Sequence, residues 1–341
     1  MGQIVPLNNI KKNFNYYVKE LAKLCEKDLN SINALILEKL DSEVPLIKEI
    51  ASHLILSGGK RLRPLLTSCC FQMSKNDLKN SHIGLAAAVE FIHAATLLHD
   101  DVVDESKNRR GELTANEVWG NKTSVLVGDF LFSRAFQLMS KYGSNDVLKL
   151  LSDTSVIISE GEMLELSIDK NPTINEDIYF KVIEGKTASL FSAACQVGVM
   201  RGNNEDKDKV NAVKSFGTNF GMSFQLIDDA IDYSSSSKKL GKNIGDDFKE
   251  GKVTLPIILA YLRSNNQEKK FWKKTIKELN QDKDDFDLAI KIINKYNCIE
   301  DTIIRAKHFA NIAIDSLGNF EESQYKNILI NLVKSGLTRL N

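Results

Sequence analysis

Residues 97–104 read Leu97-Leu98-His99-Asp100-Asp101-Val102-Val103-Asp104: an aspartate doublet with a third acid four residues after the first, inside an apolar run. A helix turns about 100° per residue, so Asp100 and Asp104 project from one face with Asp101 to the side. Carboxylates this close repel one another unless a cation lies between them. Hard oxygen ligands at this spacing suit Mg2+, which takes one or two carboxylates and completes its octahedron with water and substrate phosphate. A single cluster of this kind could equally be an N-cap or an exposed acidic turn. The pattern recurs, however, at Phe224-Gln225-Leu226-Ile227-Asp228-Asp229-Ala230-Ile231-Asp232, again in apolar sequence. Two such helix faces can clamp one metal–diphosphate from opposite sides. Gln225, one turn before Asp228, shares that face and can offer its amide to the substrate.

Around these segments the sequence reads as all-α. Only five prolines occur, and the long stretches between them place apolar residues at helical rather than alternating spacing. Leu21, Leu24, Leu29, Ile32, Leu35 and Leu40 form one stripe, and Leu126 to Met139 and Val147 to Leu166 read as further buried helices. No strand pattern stands out. Polar clusters at 201–209, 234–239, 263–270 and 280–285 read as surface connections, none long enough to divide domains. The expectation is a single domain over residues 1–341, a bundle of long helices around a central cavity.

Composition excludes several classes. Forty-five basic and forty-five acidic residues cancel, so no global field draws the chain to nucleic acid or to an anionic membrane. The five cysteines have neither zinc-ligand nor C-x-x-C spacing, which fits reduced thiols in a cytoplasmic setting. No run of about 18 uninterrupted apolar residues suggests a membrane span. Residues 1–17 lack the apolar core of a signal peptide and the arginines of a transit helix. Pro6 stands where a myristoylation signal wants Ser or Thr.

Cations complement the acids. Gly58-Gly59-Lys60-Arg61-Leu62-Arg63-Pro64 places three basic residues at a glycine-loosened helix start, where backbone N–H groups and guanidinium forks favour phosphate. Arg109-Arg110-Gly111 follows the first acidic cluster closely enough to face the same cavity. Gly185-Lys186-Thr187 looks like the end of a P-loop, but Phe180 occupies the place of its first glycine, which excludes that nucleotide-binding motif.

Taken in order, GGKRLRP, LLHDDVVD, RRG, GDFLFSRAFQLM, GKTASL, FQLIDDAID and LGKNIGDDFKEGKVTLP resemble the blocks of the trans-type prenyl diphosphate synthases, over positions 58–256. The resemblance implies an isoprenoid-synthase bundle, usually homodimeric, that condenses isopentenyl diphosphate with an allylic diphosphate. It implies three Mg2+ ions, held by Asp100, Asp104, Asp228 and Asp232, with Asp101 and Asp229 in support. Lys60, Arg63, His93 and Arg110 match the isopentenyl diphosphate anchors. Arg109, Lys186, Thr187, Gln225, Lys242 and, more weakly, Lys252 match positions that hold the allylic diphosphate. His53, His82 and His308 match no role.

In the resembling family, bulky aromatics four or five residues before the first aspartate stop chain growth early; here those places hold Thr96 and Ala95. Small side chains there imply an open tunnel and a long product, of the octaprenyl or decaprenyl type used for quinone side chains. Phe132 and Phe136 share a helical stripe and are candidates for a deeper floor. A shorter-chain synthase or a non-catalytic partner subunit is the alternative, although such subunits tend to lose an acidic cluster and this chain keeps both. A terpene cyclase would need no GGKRLRP anchor and would usually replace the second aspartate cluster. A long apolar product must leave toward a bilayer, so transient membrane contact is a further expectation.

Overall fold

A computed structural model describes residues 13–74, 81–203, 206–234 and 245–339. Helices α1 (Phe14–Leu24) and α2 (Glu26–Lys39) carry the first leucine stripe, which is broken at buried Cys25. They are followed by α3 (Pro45–Leu56), α4 (Leu62–Met73), α5 (Ser81–Val103), α6 (Ala115–Trp119), α7 (Asn121–Tyr142), α8 (Asn145–Ser167) and α9 (Glu176–Ile183). A π turn over Glu184–Ala188 leads into α10 (Ser189–Asn203) and α11 (Lys207–Asp232). The remainder is α12 (Asp246–Glu250), α13 (Leu255–Arg263), α14 (Asn266–Trp272), a second π turn (Lys273–Lys277), α15 (Asp285–Lys295), α16 (Cys298–Ser316), a 3-10 turn (Leu317–Asn319) and α17 (Gln324–Gly336).

Helix α5 lies at the centre of one part of the core, against α2, α4, α7 and α10. Its alanines, Ala86, Ala87, Ala88, Ala94 and Ala95, are buried and let neighbours approach closely. Among the described residues it is the one helix long and apolar enough to cross a membrane, over His82–Val103, yet 78% of its apolar window is buried within the protein. It is therefore read as a core helix. Helix α10 joins this core to a second around α1, α4 and α17, and α11 joins the second to a third around α9, α13 and α16.

Glycines set the spacing of the helices that carry the second acidic cluster. A Cβ at Gly217 would lie 2.6 Å from Ser192 Cα, and one at Gly221 would lie 2.6 Å from Ala188 Cα. Spaced four apart on one face of α11, they bring it into backbone contact with α10 and the end of the first π turn. Gly198 does the same for α10 against α4, where a Cβ would meet the Thr67 carbonyl oxygen at 2.4 Å.

Several expectations change: residues 201–203 and 207–209, read as a connection, are the ends of α10 and α11, and α7 and α8, read as buried, expose Leu126, Phe136, Val156 and Met163. One short antiparallel hairpin pairs Asn108–Arg109 (β1) with Glu112–Leu113 (β2) where no strand was expected. Its two-residue loop, Arg110 (φ 56°) and Gly111 (φ 87°), has both residues at positive φ, as a type I′ turn requires. The polar cluster at 263–270 is mostly the start of α14: the Asn265 side chain accepts from the Gln267 and Glu268 N–H groups, and Glu268 accepts from the Asn265 N–H in return. A capping box turns what reads as a loop into a helix start. All five cysteines are unpaired and buried.

Substituting Gly198→Ala should force α4 and α10 apart. The expected cost is about 1–3 kcal/mol, visible as a lower midpoint in guanidinium unfolding followed by circular dichroism; an unchanged midpoint would mean the contact has slack.

Candidate active site

The two acidic clusters end α5 and α11, beside a cleft of about 490 Å³ whose lining includes Asp104, Glu162, Glu165, Lys186, Thr187, Gln225, Asp229, Asp247 and Lys252. In both doublets the second aspartate turns inward. Asp101, 1% exposed, receives the Arg109 guanidinium on both oxygens, with Nη2 2.7 Å and Nε 3.0 Å from Oδ1 and Nε 3.1 Å from Oδ2. Asp229, 4% exposed, accepts the Tyr179 hydroxyl on Oδ2 at 2.5 Å and the Gln225 amide on Oδ1 at 2.7 Å. Thr187 in turn donates to Gln225 Oε1 at 3.2 Å. The outer acids meet cations from distant elements instead: Lys252 Nζ lies 3.3 Å from Asp104, and Arg339 Nη2 lies 2.8 Å from Asp228. Asp232 accepts the Asp247 backbone N–H at 3.1 Å.

Burial is the first electrostatic cost of this arrangement. It pushes Asp100 up to about 7, with the Glu162 and Asp104 carboxylates adding to it and Lys186 opposing. Asp229 also rises to about 7, chiefly by burial, although its hydrogen bonds from Tyr179 and Gln225 favour the charged form. Asp247 is held well above the carboxylate range by burial and by Asp229 and Asp232. Burial works against the Lys186 charge too, but Glu165 at 2.6 Å and Glu162 at 2.8 Å hold the ammonium protonated beyond the ordinary lysine range.

These acids suit a hard divalent cation. Among the described residues no three of them converge tightly enough to hold a metal ion alone, which is the expected state of a site where Mg2+ takes one or two carboxylates and the rest of its shell from diphosphate and water. Asp100 and Asp104 on one side, and Asp228 and Asp232 on the other, are the residues that would hold it.

Close backbone packing aims Lys186. The first π turn carries Lys186 and Thr187, and a Cβ on Gly161 of α8 would lie 2.8 Å from the Lys186 backbone nitrogen. Such π insertions within helices often mark functional positions because they rotate the following side chains out of α register.

A second, cationic group lies around His93. Arg61, in left-handed conformation (φ 49°), is spent on Glu90 (2.5 Å) and the Ile55 carbonyl (2.7 Å), so it braces the Gly58-Gly59 loop. Arg63 lies over the Phe191 ring at 4.3 Å with its buried Nε unpartnered, and burial lowers its pKa to about 10. Lys60 Nζ is 5.2 Å from the Phe14 ring centre. The type I′ turn sends the two neighbouring arginines different ways: Arg109 to Asp101, and Arg110 against Gly59, where a Cβ would be 3.2 Å from Nη1. Enclosure and the charges of Arg63, Arg110 and Arg109 hold His93 well below the ordinary histidine value, leaving it neutral. A group of cations facing an uncharged imidazole is a receptor for an anion.

Lys242 lies outside the described residues. Of the tunnel residues, Ala95 is buried in α5 and shares a core with Phe132, and the Thr96 hydroxyl donates to its own helix at the His93 carbonyl (2.9 Å). Phe132 lies beside His99 with ring centres 6.2 Å apart, whereas Phe136 is 48% exposed. None of these four residues lines the cleft. Sequence reasoning passed over Glu162, Glu165, Tyr179, Asp247 and Arg339. The i, i+3 acids Glu162 and Glu165 and the second acid of Gly245-Asp246-Asp247 were legible signals; Tyr179 and Arg339 carry none, since only folding brings them to the clusters.

A helical bundle with paired aspartate clusters and a separate cation pocket defines a class of diphosphate-handling enzyme. Residues 44–293 match the polyprenyl synthetase family, and the chain belongs to that family. It is 39% identical over 331 residues to the octaprenyl diphosphate synthase of Haemophilus influenzae, covering 97% of this chain and 99% of the relative. The crystal structure of a decaprenyl diphosphate synthase from Rhodobacter capsulatus superposes with a TM-score of 0.91 at 43% identity, covering 95% of this chain and 99% of that one. A polyprenyl synthase from Caulobacter crescentus, complexed with calcium and isoprenyl diphosphate, superposes at 0.90 with 42% identity over 95% of this chain and 98% of that one.

The raised acids predict a pH dependence. An aspartate with a pKa of 3.8 when unfolded and about 7 when folded binds its proton more tightly in the folded state. Its destabilising effect is absent below pH 3.8, grows as pH rises, and is complete above about 7. Metal-free protein should therefore lose thermal stability as pH rises from 3.8 to about 7, less steeply in Asp100→Asn, and Mg2+ with pyrophosphate should flatten the loss. Parallel melting curves for parent and Asp100→Asn across this range would refute the crowding of acids around Asp100.

Proposed function

We propose that this chain lengthens an allylic diphosphate by repeated condensation with isopentenyl diphosphate, giving a long-chain all-trans polyprenyl diphosphate of about octaprenyl size. The observation that carries this reading is the division of labour between the acid-lined cleft and the cation group around His93. One suits a metal-bound diphosphate that must leave; the other suits a metal-free diphosphate that must stay.

When bound, Mg2+, three ions in this proposal, would neutralise the allylic diphosphate and draw charge from its C–O bond. Lys186 and Lys252, both held protonated, stabilise the charge that accumulates on the departing oxygens, with Thr187, Gln225, Arg109 and Lys242 as further contacts. Lys60, Arg63 and Arg110 anchor isopentenyl diphosphate, and neutral His93 can donate one N–H to it without adding a charge. The isopentenyl double bond attacks the allylic carbon, and the departed diphosphate is the base that removes the proton. No protein nucleophile is required, and the apolar wall of α5 excludes water from the cation.

Product length rests on Ala95 and Thr96. The similarity to octaprenyl and decaprenyl synthases supports the long-chain reading, and the product fits a quinone side chain. The whole chain acts as one catalytic unit. We further propose a homodimer through the exposed apolar residues of α7 and α8, among them Leu126, Phe136, Val156 and Met163, in a cytoplasmic enzyme that touches a bilayer transiently to release product.

Incubation with Mg2+, farnesyl diphosphate and labelled isopentenyl diphosphate should give polyprenols well beyond twenty carbons after dephosphorylation. A short product would keep the chemistry and overturn the tunnel reading, whereas no Mg2+-dependent condensation would overturn the enzyme reading. Asp100→Ala and Asp228→Ala should nearly abolish turnover with helical circular dichroism retained; full activity in either would dismiss the metal assignment. Ala95→Phe should shorten the product, and an unchanged chain length would put the floor elsewhere.

A further inference from the structure

We infer that Tyr179 is a positioning residue for the metal–diphosphate site, acting through Asp229 and Gln225; the inference rests on the reading of the acidic cleft given above. Tyr179 is 4% exposed on α9, packed in the third core, with its side chain at the cleft wall. Its hydroxyl donates to Asp229 Oδ2 at 2.5 Å, while Asp229 Oδ1 takes the Gln225 amide at 2.7 Å. Both oxygens of a 4%-exposed carboxylate are thus committed to protein donors. Asp229 therefore cannot turn toward a metal without giving up one of these two bonds.

What Asp229 does instead is transmit position. With its NH2 on Asp229, Gln225 presents its carbonyl oxygen to the Thr187 hydroxyl at 3.2 Å. The three bonds Tyr179–Asp229, Gln225–Asp229 and Thr187–Gln225 tie α9 and the first π turn to the stretch of α11 that carries Asp228 and Asp232. Lys186 is the neighbour of Thr187 in that turn. The register between the lysine and the outer acids is therefore set before any cation arrives. The first cluster is braced differently, by the charged Arg109 on Asp101. A guanidinium can be drawn away by an incoming phosphate; an uncharged phenol buried in the core cannot, so the second cluster has the more permanent brace.

The competing account is a core tyrosine whose hydroxyl has merely found an acceptor. Tyr179→Phe separates the two because it removes one oxygen and keeps the ring. The test is a titration of Mg2+ at fixed inorganic pyrophosphate, read as the thermal shift of the protein, for parent, Tyr179→Phe, Asp229→Asn and the double variant. Loss of a residue that orients metal ligands typically weakens metal affinity about 10–100-fold, so the half-saturating Mg2+ should rise by that factor in Tyr179→Phe. The double variant should be no worse than the weaker single one, and the KM for isopentenyl diphosphate should stay within about twofold of the parent value, since the loss is of metal affinity. A Tyr179→Phe protein with a parental Mg2+ titration, whatever its melting temperature, would overturn the inference and leave the site reading intact. If the parent itself shows no Mg2+-dependent stabilisation by pyrophosphate, the site reading falls and takes this inference with it.

Discussion

The constraint on which the site depends is repulsion among carboxylates gathered beside one cleft. The fold meets it by giving the inner acid of each doublet a private donor, Arg109 for Asp101 and Tyr179 for Asp229. The outer acids are met by cations on other elements, Lys252 at Asp104 and Arg339 at Asp228. Those outer pairs have side chains 11–34% exposed, so solvent reaches them only in part. In the proposed reading they are the pairs a metal would displace.

The same division explains why the helices pack as closely as they do. Acids on the ends of α5 and α11 face one cleft only if α11, the π turn and α10 lie almost backbone to backbone, and Gly217 and Gly221 permit that. Gly161 lets α8 bring Glu162 and Glu165 to Lys186. Small residues in the scaffold and charged residues at the cleft are two halves of one requirement, since a Cβ at any of these glycines would move a ligand-bearing turn.

Much of this was legible in the sequence for physical reasons. Helical periodicity reported the bundle because each helix buries one face, and the i, i+4 aspartates reported the acidic clusters because they share a face within one element. What was not legible depends on distant packing. Tyr179 lies 50 positions from Asp229, and Arg339 lies 111 positions from Asp228. The hairpin at 108–113 escaped notice because two-residue strands carry no periodicity, although Arg110-Gly111 is a workable I′ loop. Phe136 shares a stripe with Phe132, yet spacing alone could not say which of the two faced inward.

Helix α5 poses a problem before the protein is folded. By length and composition it could be taken for a membrane span, and a growing chain presents it before α7, α8 and α10 exist to cover it. Glu90, near its middle, is neutralised in the finished protein by Arg61 at 2.5 Å. In a bare helix the same carboxylate opposes insertion, since an acidic residue at a bilayer's centre costs about 2.5–3.5 kcal/mol. A carboxylate near the middle of this helix therefore makes its bare segment a poorer match to a bilayer than its length and composition suggest.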